Sequence, residues 1–231
     1  MLKWIAVAAG VLLLAAGMVP LAIIWIESRQ ARQAGGMEPH VASAQPARRG
    51  AVVVYFSRSG NTALAARHIA NRLDADLHAL EVPEYALGLR GLAHSALDAD
   101  ARRNDPARLR GIRPRTLDLR PFDTVWLGSP VWFYSPAPPI WAFVEHNRFD
   151  GQRVVLFNTY NSNIGDDQIA AFKARVMARG AASFEHRALL RGRMTRQIGP
   201  DEMLRRIDAD WLAGDAVRAP LTARTPAPAA P

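Results

Sequence analysis

Cysteine is absent from the 231 residues, which excludes a disulfide framework, a thiolate metal site and a cysteine nucleophile. Lysine is nearly absent, with only Lys3 and Lys173. Arginine therefore carries almost all of the formal net charge of +8. No zinc-ligand spacing and no G-x-G-x-x-G fingerprint occurs. No basic run is interleaved with aromatics, so nucleic acid is not an expected partner. A basic balance points instead to acidic partners or anionic lipid. No acid–base dyad and no metal-ligand cluster is readable, so no catalytic or metal-binding residue is assigned.

Charge is also missing from the whole stretch Trp4 to Ile26. As a helix of about 23 residues it is roughly 35 Å long, enough to cross a bilayer with some tilt. Trp4 and Trp25 lie near its ends, where amphipathic rings settle at membrane interfaces. Pro20 inside it is tolerated in a spanning helix more readily than in a soluble one. The alternative is a cleaved signal peptide, whose apolar core is shorter and is followed closely by a small-residue site. The nearest A-x-A pattern here, Ala42-Ser43-Ala44, lies far beyond Ile26. The stretch therefore reads as an uncleaved transmembrane anchor over residues 1–26. Arg29, Arg32, Arg48 and Arg49 follow it and Lys3 precedes it, so the positive-inside rule turns the C-terminal side toward the cytoplasm. That implies a single-pass inner-membrane protein. Residues 27–50 read as a flexible tether, and 214–231, rich in Ala, Pro and Thr, as a disordered tail.

Between these lies one domain, residues 51–213, in which strand and helix alternate. Ala51 to Phe56 is apolar throughout and rich in valine, as in a strand buried on both faces of a parallel sheet. Thr62 to Leu73 has helical spacing. Further strands are predicted over Leu77–Val82, Thr124–Gly128, Arg153–Asn158 and Ser183–Leu190. Further helices are predicted over Ile140–Asn147, Asp166–Arg179 and Asp201–Leu212. This pattern implies a five-stranded, doubly wound α/β sheet with helices on both faces. The connection from Pro83 to Phe122 is long enough to carry structure or function of its own. Its arginines read mainly as a solvated face.

Ligands of open α/β sheets bind beyond the carboxyl ends of the strands, which selects three loops. The first is Ser57-Arg58-Ser59-Gly60-Asn61-Thr62. Hydroxyls and backbone N–H groups at a helix start suit a phosphate, and Gly60 permits close approach. A plain helix cap is the competing account. Its place after the first buried strand favours phosphate. No lysine follows the glycine, so it is not a nucleoside-triphosphate loop of the Walker type. The second is Gly128-Ser129-Pro130-Val131-Trp132-Phe133-Tyr134. Three successive aromatics among prolines cannot all point into a core, so at least one is left for a ligand. The third, Asn158 to Gly165, is rich in amides and hydroxyls.

The pattern V-V-Y-F-S-R-S-G-N-T resembles the phosphate loop of the flavodoxins, whose core is S/T-x-S/T-G-N-T. The resemblance continues at Gly128 to Tyr134, where flavodoxin-like proteins often have G-x-P-x-W-W. It covers roughly residues 51–213. It implies the flavodoxin-like fold, with strand order 2-1-3-4-5, and FMN as cofactor. It implies that Ser57, Arg58, Ser59, Gly60, Asn61 and Thr62 hold the phosphate. Pro130, Val131, Trp132, Phe133 and Tyr134 then flank the isoalloxazine ring. In the third loop the resemblance departs: relatives have roughly S-S-G-G-S, whereas this chain has Asn158, Thr159, Tyr160 and Asn161. Amide side chains there suit flavin carbonyls, and an ordinary polar turn remains the alternative.

The implied function is electron transfer through bound FMN beside a membrane, to a redox partner protein or a quinone-like acceptor. Two alternatives stand. One is an FMN-dependent NAD(P)H:quinone-type oxidoreductase, which an anchor would keep close to hydrophobic acceptors. The other is a flavodoxin-fold scaffold that has lost FMN, suggested by the altered third loop alone. Carriers of this family are typically acidic, so the basic charge implies partners unlike theirs.

Overall fold

A computed structural model describes residues 2–35, 50–97, 99–105, 109, 111–192 and 196–213. Strand β1 (Ala51–Tyr55) is followed by helix α2 (Asn61–Leu73) and strand β2 (Asp76–Ala79). A 3₁₀ turn at Pro83–Tyr85 and helices α3 (Leu89–Leu97) and α4 (Ala99–Asn104) occupy the long connection. Then come β3 (Thr124–Trp132), β4 (Ser135–Pro136), α5 (Pro138–His146), β5 (Arg153–Tyr160), α6 (Asp166–Ala178) and β6 (Ser183–Leu190). Helix α7 (Pro200–Arg206) closes the domain and runs into a π-helical turn, Ile207–Leu212.

The sheet has the order β2-β1-β3-β5-β6, and every pair along that path is parallel. Omitting β4, this is the expected 2-1-3-4-5 order. The expected count of five needs correction to six, because β3 runs past Gly128 to Trp132 and turns back to pair with β4 antiparallel. Two residues of pairing leave too little apolar periodicity to read from sequence.

Alternation along β1 builds two cores, one on each face. Val52, Val54 and Phe56 pack with Ile140, Phe143 and Phe172 of α5 and α6. Val53 and Tyr55 pack with Ile69 of α2 and with Met203 and Trp211 after β6. Sheet neighbours approach closely at Gly128, where a Cβ would meet the Phe157 ring at 2.3 Å and the Tyr55 Cβ at 2.8 Å. Any larger residue there would wedge β1, β3 and β5 apart.

Helix α1 spans Leu2–Gly35 without a break and contains Pro20. It does not stop at Ile26, so residues 27–35 are helical where a flexible tether is predicted. The remainder of that predicted tether, 36–49, and the predicted tail, 214–231, lie outside the described residues. Side chains at 11–16, in the middle of the predicted anchor, lie outside them as well. Among the described residues, no helix is long and apolar enough to cross a membrane. The C-terminal part of α1 packs on α2 and α3.

Candidate functional site

The three predicted loops meet at the carboxyl ends of β1, β3 and β5, because parallel pairing brings these ends together. Gly60 heads α2 in a left-handed conformation, with φ 91°, which a side-chain-bearing residue adopts only with strain. It is the N-cap, and no side chain caps the helix. The first N–H groups of a helix have no partner within it, so those of α2 are left to solvent or to an anion. The Gly60 N–H donates to Ser57 Oγ at 3.1 Å, which fixes the loop's curl. The competing account, a plain side-chain cap, is not what the loop forms.

Arg58 is 8% exposed. A buried guanidinium is costly unless paired, and its partner is Glu27 of α1. Its Nη2 reaches the Gly88 carbonyl at 3.4 Å, while its Nε has no acceptor. Thr62 is 1% exposed, and its hydroxyl shares a hydrogen bond of 2.9 Å with that of Thr159. Ser59 and Asn61 are half-buried at the mouth of the loop.

The β3–β4 hairpin carries the aromatic loop. Trp132 pairs with Ser135 across the turn, leaving Phe133 and Tyr134 as its two central residues, at φ 48° and 64°. A two-residue turn with both φ positive normally takes Asn-Gly, so two aromatics here are strained. Phe133 is 54% and Tyr134 60% exposed. Trp132 turns inward instead and is half-buried. Its ring meets those of Tyr85 and Phe56 edge-on, with centroids 5.0 and 5.5 Å away. The hairpin is pinned at its base, where Ser129 Oγ accepts from the Ala137 N–H at 2.8 Å. It is pinned to the third loop by the Gly165 N–H, which donates to the Tyr134 carbonyl at 2.7 Å. Pro130 and Val131 lie half-buried between these ties.

In the third segment, Asn158 and Thr159 are strand residues rather than loop residues, and both are buried. The Asn158 amide donates to the Ser129 carbonyl at 2.8 Å, and its oxygen lies 2.9 Å from His186 Nε2. Burial pushes the His186 imidazole below its ordinary 6.5, against the pull of Asp166. Asn158 is thus committed to joining β3, β5 and β6. Tyr160 is half-buried and Asn161 exposed at the rim.

Several residues at this edge carry no local signal in the sequence. Gln30 of α1 accepts from the Asn61 amide at 3.4 Å and donates to Gln197 at 2.7 Å. Gln197 in turn donates to Asn161 at 3.4 Å. Tyr85 supplies a wall, and Arg102, from the connection read as a solvated face, lies 5.6 Å over its ring. Beside the phosphate loop a cavity of about 440 Å³ is lined by Ala31, Arg58, Gly60, Arg67, Tyr85 and Leu87 among others. Another hollow, about 410 Å³, lies at the opposite end of the strands around Phe122, Asp150 and Ser183, remote from all three loops.

The family model described as flavodoxin matches residues 50–203. None of the curated proteins matches the sequence. Among solved structures, a flavoprotein from Bacteroides uniformis is 21% identical, with a TM-score of 0.55, covering 69% of this chain and 97% of its own. One from Bacteroides eggerthii is 22% identical, with a TM-score of 0.52 and coverages of 69% and 96%. A flavoprotein from Lactobacillus acidophilus, solved in complex with FMN, is 23% identical, covering 60% and 93%, with a TM-score of 0.48.

Proposed function

The chain belongs to the flavodoxin family, and from that premise we propose that it holds FMN beside a membrane and passes electrons to a redox partner. Membership supports FMN as the cofactor, and flavodoxin-like proteins transfer electrons to redox partners. The observation that carries the reading for this chain is the start of α2: an αL glycine, no side-chain cap and a buried arginine beside it. Such a helix start suits a phosphate.

The residues present fit the cofactor. On this reading Ser57, Ser59 and the first N–H groups of α2 bind the phosphate, with Arg58 supplying positive charge. Gly60 lets the phosphate approach the backbone. Phe133 and Tyr134 offer exposed aromatic faces for the flavin ring. The Tyr134–Gly165 bond holds that hairpin against the third loop and so keeps water from one side. Bound FMN supplies the redox chemistry, and the protein binds, orients and tunes it. Asn158 acts from behind, holding the Ser129 carbonyl and so the base of the aromatic loop.

Membrane attachment belongs to the same proposal. Trp4, Ile5, Val7, Met18, Val19, Leu21 and Trp25 of α1 are all more than half exposed, a patch for which water is a poor solvent. With the uncharged sequence around them, this supports an anchor in the inner membrane. The flanking arginines support a cytoplasmic domain. A C-terminal reporter active only outside the cytoplasm would reverse that orientation.

The test is to purify the full chain in detergent, load FMN, record the visible spectrum, and add NADPH with and without a quinone. A yellow protein that NADPH leaves oxidised is the expected carrier. Quinone-dependent turnover of NADPH would make it an FMN-dependent oxidoreductase instead. A colourless protein that ignores FMN would leave only the scaffold.

A further inference from the structure

Glu27 does not belong to any of the three loops, yet it is the group that meets the phosphate loop's buried cation. Its side chain is 15% exposed and that of Arg58 is 4% exposed. The pairing is incomplete. Glu27 Oε2 and Arg58 Nε are both buried with no hydrogen-bond partner. A carboxylate so placed leaves its second oxygen unsatisfied, and burial raises the Glu27 carboxyl above its ordinary range, with Arg58 opposing.

Glu27, Gln30 and Ala31 fall on one face of α1, since positions three and four apart are neighbours on a helix. That face lies along the loop. Glu27 meets Arg58, Gln30 meets Asn61 one turn on, and Gln30 continues to Gln197 beside Asn161. Ala31 lines the cavity next to Arg58 and Gly60. The end of α1 thus reaches the phosphate loop and the rim of the third loop.

We propose that Glu27 is an affinity-determining residue of the cofactor site, a built-in anion that occupies Arg58 until a phosphate dianion displaces it. The inference rests on the FMN reading above. A phosphate monoester carries close to two negative charges at neutral pH and three acceptor oxygens. It can satisfy Arg58 more fully than one carboxylate oxygen does, and it repels Glu27. Cofactor loading therefore loosens the end of α1 from the domain. The helix leading from the proposed anchor then reports whether the domain holds its cofactor.

The experiment titrates the full chain in detergent with FMN and with riboflavin, which has the same ring and no phosphate. Glu27→Gln keeps the size and removes the charge. FMN affinity is expected to rise about tenfold in E27Q while riboflavin affinity stays within about twofold. In A31C, with no other cysteine in the chain, maleimide labelling is expected to speed up when FMN is added and not when riboflavin is added. Equal FMN affinity in the wild type and E27Q overturns the proposal. So does an equal gain for riboflavin, which would make α1 a steric cover only. A chain that binds FMN neither as wild type nor as E27Q overturns the FMN reading itself, and this inference with it.

Discussion

The hydroxyls of Thr62 and Thr159 lie 2.9 Å apart in a buried hydrogen bond that joins the first turn of α2 to the end of β5. It ties the phosphate loop to the third loop across the intervening strand β3. Valine at position 62 keeps the shape and strands the Thr159 hydroxyl. T62V should lose about 1–3 kcal/mol of unfolding free energy, and T62V/T159V should recover part of it, because paired removal leaves nothing unsatisfied. Urea denaturation of the three proteins checks this. A double variant no better than the single one would show that a stranded Thr159 hydroxyl is not the source of the loss.

Phe133 and Tyr134 hold left-handed backbone at the tip of the β3–β4 hairpin. Asn-Gly fits such a turn without strain. F133N/Y134G should therefore gain about 1–2 kcal/mol of stability and bind FMN more weakly, since the aromatic faces are gone. Chemical denaturation and a cofactor titration read the two effects separately. Tighter binding in the double variant would deny these rings a flavin role.

His186 is buried against Asn158, and burial lowers its pKa from 6.5. An unfolded chain then takes up protons at higher pH than the folded one does. The stability this neutral imidazole contributes is fully present above about pH 6.5. It declines as the pH falls from there through the depressed folded value. Stability measured from pH 8 to 5 should fall in the wild type and fall less in H186Q. Parallel curves would contradict the assignment.

Much of this fold is legible in the sequence because buried parallel strands are apolar at every position. β1 is the example, buried along its whole length; the edge strand β6 carries Glu185, His186 and Arg187, yet it matches its predicted span Ser183–Leu190 residue for residue. The end of β5 is not legible in that way. Asn158 and Thr159 look like loop chemistry, but each finds a partner on a neighbouring element and so remains in the strand. The phosphate loop is legible because its groups are consecutive. The ties of Glu27 to Arg58 and of Gln30 to Gln197 span 31 and 167 residues, and no local pattern announces them. Arg102 reads as a solvent residue for a similar reason: only the fold places Tyr85 beneath it.

The basic balance should shift the potential of a bound flavin. Without Lys3 the chain still carries 8 − 1 = +7 formal charges. Positive surroundings stabilise added negative charge on a bound flavin. The low-potential couple should be less negative than in acidic relatives, and the difference should shrink as salt screens it. A spectroelectrochemical titration at low and high ionic strength measures both. An equal or more negative potential would contradict the expectation.

FMN binding itself tests the central claim most directly. The full chain in detergent, stripped of cofactor, should quench the fluorescence of added FMN to a sharp end point at one equivalent. Reversing the charge of the buried guanidinium, R58E, should weaken that binding by at least an order of magnitude. Fluorescence that follows the FMN added with no break, in a protein shown to be folded, would contradict a flavin site at the carboxyl ends of β1, β3 and β5.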